Sequence, residues 1–110
     1  MIVAVAWDIE ANSSNSSFSG RSKNMWGTPN VNWRTITAYD AVQALMSAIE
    51  KQSEPTREGV RKELSSSNFF TPGAIERVQF DESGDYRGDI QLVEIQKLGS
   101  GYDFIPLDTE

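Results

Sequence analysis

Trp33-Arg34-Thr35-Ile36-Thr37-Ala38-Tyr39-Asp40-Ala41-Val42-Gln43-Ala44-Leu45-Met46-Ser47-Ala48-Ile49-Glu50-Lys51 runs without a glycine or a proline. Tyr39, Val42, Met46 and Ile49 recur at helical spacing with Ala38, Ala41 and Leu45 beside them, whereas Asp40, Gln43, Ser47 and Glu50 fall on the other side. The period predicts an amphipathic helix of about five turns, its apolar stripe turned to a core. Ala38, Ala41, Ala44 and Ala48 would let a sheet or a second helix approach closely.

Upstream, Ile2-Val3-Ala4-Val5-Ala6-Trp7 is a short apolar run with β-branched residues, closed by Asp8. It reads as a strand buried on both faces. Such a strand needs neighbours on both sides, supplied either by chain that precedes Met1 or by a small α/β domain with a central N-terminal strand. No Lys or Arg precedes the run, so it lacks the pattern of a secretory signal, and it is too short to span a bilayer. Expressed as it stands, the chain is expected in the cytoplasm. Ala11 to Ser19 is rich in Asn and Ser and reads as a surface loop. Phe18, Met25 and Trp26 then fit one face of a helix from about Ser16 to Trp26, with Gly27 placed for a left-handed C-terminal cap.

Downstream, Pro55 ends the long helix and Thr56 is placed to cap a second one, in which Val60 and Leu64 form the apolar stripe. Glu58 and Lys62 have the i, i+4 spacing of a helical ion pair. Thr71-Pro72-Gly73 reads as a turn. Val78 and Phe80 begin a strand, Asp81-Glu82-Ser83-Gly84-Asp85 turns it, and Ile90, Leu92, Val93 and Ile95 continue in a second. After a turn at Lys97 to Gly101, Tyr102, Phe104 and Ile105 complete a small β-meander.

Composition limits the chemistry. The 110 residues are 38% hydrophobic and 24% charged, a globular balance with room for one modest core. There is no histidine and no cysteine, which removes Ser-His-Asp and Cys-His nucleophiles, thiolate or imidazole zinc sites, iron–sulfur sites and disulfides. A net charge of −6 argues against binding to nucleic acid or an anionic membrane surface. Asp81, Ser83 and Asp85 have some of the spacing of a calcium loop, but Gly84 precedes the third oxygen and no bidentate glutamate follows in place, so a hairpin turn is the better reading. No metal, no cofactor and no catalytic residue is expected, and nothing places two carboxylates across a cleft for glycoside hydrolysis.

Three stretches in this order carry a resemblance: Asn32-Trp33-Arg34-Thr35 leading into Ala38-Tyr39-Asp40-Ala41-Val42-Gln43-Ala44-Leu45; Arg57-Glu58-Gly59-Val60-Arg61-Lys62-Glu63-Leu64; and Val78-Gln79-Phe80-Asp81-Glu82-Ser83-Gly84-Asp85. Together they resemble the C-terminal part of the type I periplasmic binding proteins, the leucine/isoleucine/valine-binding protein family of ABC-transporter substrate-binding proteins. The likeness covers nearly the whole chain. It implies an α/β fold fragment, a strand and helix, two helices and then a small β-meander. Residues 1–27 would belong to the second lobe, 28–75 to the first, and 76–110 to the hinge and meander. It also implies a periplasmic parent that closes two lobes on a small ligand, a branched-chain amino acid or a related polar solute such as an amide or urea, and is then recognised by a membrane permease. The same fold serves as the ligand-sensing domain of receptors, and a stand-alone α+β interaction protein of shared ancestry is a further reading.

The resemblance places Trp33, Arg34 and Thr35 where the chain returns through the hinge beside the cleft. Trp33 would be an apolar wall and Arg34 a carboxylate partner, or else Trp33 packs beneath the hinge and Arg34 pairs on the surface. Trp7 and Asp8 end a strand, and strand carboxyl ends face ligand crevices in open α/β sheets. Tyr39 is a further ligand candidate, although it and Asp40 also suit the opening of the long helix, where the dipole favours an acid. Helices and a strand drawn from two lobes would leave apolar surface uncovered, so self-association is expected, through that surface or by exchange of elements.

Overall fold

The computed structural model describes residues 1–8 and 13–107, with residues 13–16 described by their backbone alone. The chain divides into two compact units. The first comprises Met1–Ile36 and Asp89–Glu110, and the second Thr37–Gly88. The chain is mixed α/β, with three helices and antiparallel strands among the described residues.

The first unit holds β1 (Ile2–Val5), α1 (Ser13–Trp26), β4 (Gln91–Leu98) and β5 (Gly101–Pro106), with the start of α2 (Trp33–Glu50). β1, β4 and β5 form one antiparallel sheet in that order, with Val3 opposite Val93 and Ile95 opposite Phe104. Val93, on the central strand, is fully buried. β4 and β5 are joined at Gly99, whose φ of 61° is left-handed and suits glycine.

β1 corrects the expectation of an interior strand. It lies at the sheet edge with β4 as its partner, so Val3 and Val5 are half-buried while Ile2 remains 62% exposed. Alternation of this kind marks a strand covered on one face. α1 starts at Ser13, earlier than expected, so the serines from Ser13 to Ser19 are helical and do not form a surface loop; the loop expected at 11–12 lies outside the described residues. Two serines farther along secure the end of the helix. Ser22 is buried and its hydroxyl donates toward the Ser19 and Thr28 carbonyls, at 2.7 and 2.9 Å, while the Ser19 hydroxyl donates to the Pro29 carbonyl at 2.8 Å. They tie the connection at 28–30 to the helix, which then ends as expected on Gly27, with φ 75° and its N–H on the Lys23 carbonyl. Phe18 is buried and meets Trp26 edge to face, but Met25 is exposed.

The second unit contains the rest of α2, then α3 (Arg57–Leu64) and a hairpin of β2 (Thr71–Pro72) with β3 (Arg77–Val78). Thr71-Pro72 is therefore a strand, where a turn was expected; the turn itself is Gly73 to Glu76, closed by Gly73 N–H on the Glu76 carbonyl at 2.8 Å. The expected meander does not form one sheet, because β2 and β3 pair with each other and β4 and β5 pair with β1. Between them, Phe80 and Tyr86 form an isolated antiparallel bridge around the Asp81–Asp85 turn. α3 is capped as its sequence predicts, the Thr56 hydroxyl accepting from Gly59 N–H at 3.0 Å. Glu58, however, pairs with Arg61 at i, i+3, by two hydrogen bonds of 2.6 and 3.1 Å, and not with Lys62. The planar guanidinium fork matches a carboxylate in a way that an ammonium does not.

The core of this unit is Ala44, Ala48, Phe69 and Val78, with Val60, Leu64 and Phe80 against it. The face that α2 buries is thus the reverse of the predicted one. Asp40, Ala44 and Ala48 point inward at i, i+4, while Val42, Leu45, Met46 and Ile49 are between 42% and 52% exposed. The phenyl rings of Phe69 and Phe80, stacked at 6.1 Å, need small residues opposite them if the core is to close at native density.

Candidate functional site

Trp7, Asp8, Trp33, Arg34 and Thr35 all belong to the first unit, and Tyr39 to the second. Trp7 and Asp8 follow β1 and are both buried. Asp8 is held to the head of β4, its N–H donating to the Gln91 side-chain carbonyl at 2.6 Å. Trp7 is notable for its indole N–H, which is buried and has no acceptor among the described residues. An orphaned donor of this sort costs about 1–3 kcal/mol and is uncommon in folded proteins.

Trp33, Arg34 and Thr35 are the first turn of α2. Asn32 caps it reciprocally, its side-chain carbonyl accepting from Arg34 N–H at 2.9 Å while its own N–H reaches the Thr35 hydroxyl at 3.4 Å. Thr35 therefore already serves as a capping group. Arg34 lies over the Trp33 ring, 4.6 Å from its centroid, and Trp33 is 41% exposed. The pair presents a flat aromatic face backed by a fixed cation.

Tyr39 and Asp40 do not open the helix. They lie past its first turn, beyond the reach of the dipole that favours an N-terminal acid. Asp40 instead secures the β2–β3 turn, where Ala74 N–H donates to its Oδ1 at 2.6 Å. Burial raises the Asp40 pKa above the ordinary 3.8; the Ala74 hydrogen bond opposes this and the nearby charge of Glu76 adds to it. Because the folded state then binds its proton more tightly than the unfolded chain, stability contributed at this position rises as pH falls through the raised pKa, and is complete below 3.8. Urea unfolding at several pH values should show wild type gaining stability over Asp40→Asn on acidification. A parallel pair of profiles would contradict it.

Asp40 also borders a cavity of about 150 Å³, walled by Thr37, Ala41, Val78, Phe80 and Tyr86. A roomier groove of about 260 Å³ runs from Arg61 and Leu64 to the 81–84 turn. There the Asp81 carboxylate is spent on its own loop, accepting from Ser83 and Asp85 N–H at 2.9 Å each, and Gly84 takes φ 86°. The hairpin reading of that segment holds, and among the described residues no group of three or more acids could share a metal ion. No described helix is long and apolar enough to cross a membrane.

The sequence pattern missed the cavity. Its aromatic walls, Phe80 and Tyr86, are brought opposite each other by the turn between them, and its carboxylate lay on what seemed the solvent side of α2. The polar–aromatic pairing had no local signal. No family model matches the chain, and no curated protein matches it.

Proposed function

We propose that the chain is the C-terminal portion of an extracytoplasmic solute-binding protein of an ABC transporter, taking branched-chain amino acids or a related small polar solute such as an amide or urea, and that it is not an enzyme. The observation that carries this reading is the path of the chain. It builds part of one compact unit, passes within α2 into a second, and returns at Asp89 to complete the first. A receptor whose two lobes share hinge crossings requires such a return. Trp7 adds support, since a ligand carbonyl or carboxylate would satisfy its orphaned N–H at the end of β1.

In the parent protein, ligand would close the lobes and the closed form would dock on its membrane permease. The test is to join the chain to the coding sequence found in frame upstream and titrate the product with leucine, acetamide and urea by calorimetry. Stoichiometric binding by the joined product, with weak or no binding by the 110 residues alone, is expected. Tight binding by the 110 residues alone, or a joined product that binds none of these solutes, would overturn it.

The outward face of α2 bears on assembly. From Thr37 to Ile49 its exposed positions carry no charge, so two copies can meet there without like-charge repulsion despite the net charge of −6. Light scattering of the isolated chain should give a mass above that of the monomer. Leu45→Glu should return it to monomer while changing stability by less than about 0.5 kcal/mol; a wild-type chain that stays monomeric at high concentration would count against this assembly.

A further inference from the structure

We propose that the cavity between α2 and the Phe80–Tyr86 bridge is a binding site for a small organic cation, a primary alkylammonium with a compact hydrocarbon body. This site lies wholly in the second unit and does not rest on the two-lobed receptor reading.

Size comes first. A dry cavity of about 150 Å³ holds one benzene-sized guest in other proteins, and this one has the same volume. Its walls are mostly carbon, from Ala41, Val78, Phe80 and Tyr86, which suits a hydrocarbon body.

Charge selects among guests of that size. Asp40 is only 8% exposed, yet one of its two oxygens has a hydrogen bond among the described residues, that from Ala74 N–H. A carboxylate set in a mostly apolar wall gains from a neighbouring counter-charge. An ammonium supplies that charge together with hydrogen-bond donors. Phe80 and Tyr86 line the cavity with aromatic carbon, which tolerates a cation better than an aliphatic wall does, and Glu76 adds further negative charge near Asp40. Anions are disfavoured on each count, and a neutral alcohol satisfies the hydrogen bond without the charge.

The fold holds these walls in place. Arg87 N–H on the Gln79 carbonyl, at 2.9 Å, closes the hairpin that sets Phe80 across from Tyr86. Gly88 is needed beside it, because a Cβ there would overlap the Tyr86 ring. Phe80 is stacked on Phe69 of the core, so its ring is held in place.

The experiment titrates the full chain with isobutylammonium, isobutanol and isobutyrate, following amide shifts of Ala41, Ala74 and Val78 by nuclear magnetic resonance. Isobutylammonium should give saturable shifts at these three amides, with the alcohol weaker by about tenfold or more, as expected for losing a hydrogen bond between charged groups, and isobutyrate without effect. Asp40→Asn keeps an acceptor for Ala74 and should lose a similar factor. Ala41→Leu fills the cavity from an exposed helical position and should abolish the shifts with the helix intact, which covers the case in which Asp40→Asn unfolds. Equal binding of alcohol and ammonium would overturn the proposal in favour of an apolar void. Absence of saturable shifts, or shifts that survive Ala41→Leu, would overturn it as well.

Discussion

Phe69→Ala is expected to unfold the second unit. Phe69 is 3% exposed, stacks on Phe80 at 6.1 Å, and carries the Lys51 ammonium over its ring at 5.0 Å. Removing a buried phenyl ring costs about 3–5 kcal/mol in transfer and cavity terms, and a native domain holds only about 5–15 kcal/mol in all. Two of its core neighbours, Ala44 and Ala48, are too small to extend into the gap. Urea unfolding followed by far-ultraviolet circular dichroism should show the loss, with amide protection disappearing between residues 37 and 88. All three tryptophans belong to the first unit, so their fluorescence reports on the other part of the chain. A variant that keeps wild-type protection at Ala44 and Ala48 would show that the core is misassigned.

Gly73→Ala should cost about 1–3 kcal/mol by overpacking, with about 1 kcal/mol more if a hydrogen bond opens. A Cβ at Gly73 would stand 2.7 Å from each of Asp40 Oδ1, the Glu76 carbonyl oxygen and Val78 Cγ2. None of the three can yield easily. The first is fixed by Ala74, the second closes the turn, and the third belongs to a residue that is 1% exposed. Thermal unfolding would measure the effect, and Gly73→Ser should be at least as damaging. The requirement is for space, since Gly73 is not among the glycines with positive φ. An unchanged melting temperature would mean that the hairpin shifts freely, and would weaken the role given to Asp40 as its anchor.

These two positions show unequal legibility in the sequence. The glycine at 73 was readable as a turn residue, but its close packing against a helix far away in the chain had no local signature. Phe69 follows Ser65-Ser66-Ser67-Asn68, which carries no hydrophobic period, so nothing local marks it as the centre of a core. By contrast, elements governed by neighbours in the chain follow their sequence: the extent of α2, the Thr56 cap, the left-handed glycine at 27 and the turn at 81–85. α1 begins at Ser13, inside the stretch that its Asn and Ser content marks as a loop; within the helix and just past it, the Ser19 and Ser22 hydroxyls find carbonyl partners that composition does not signal. β1 was misread because an apolar run reports hydrophobicity and not the number of neighbours.

Among the candidate ligand residues, Trp33 and Arg34 were the most local and are the pair that the helix start presents together. Trp7 was legible as a strand end, though its unsatisfied N–H was not. Asp40 owes its place to packing and not to the helix dipole, which acts on the first turn, because this acid is paired with a backbone amide 34 residues away.

The sequence by itself determined the extent of α2 and α3, the turn at 81–85, and that the chemistry excludes histidine and cysteine, because these depend on residue identity and spacing along the chain. Tertiary structure alone decided which face of α2 is buried. Ala44 and Ala48 are inward because Phe69 and Val78 must approach the helix closely, which leaves Val42, Leu45, Met46 and Ile49 exposed and draws Asp40 in with the alanines. Hydrophobic periodicity sets the pitch of a helix, and the volume of whatever packs against it selects the face.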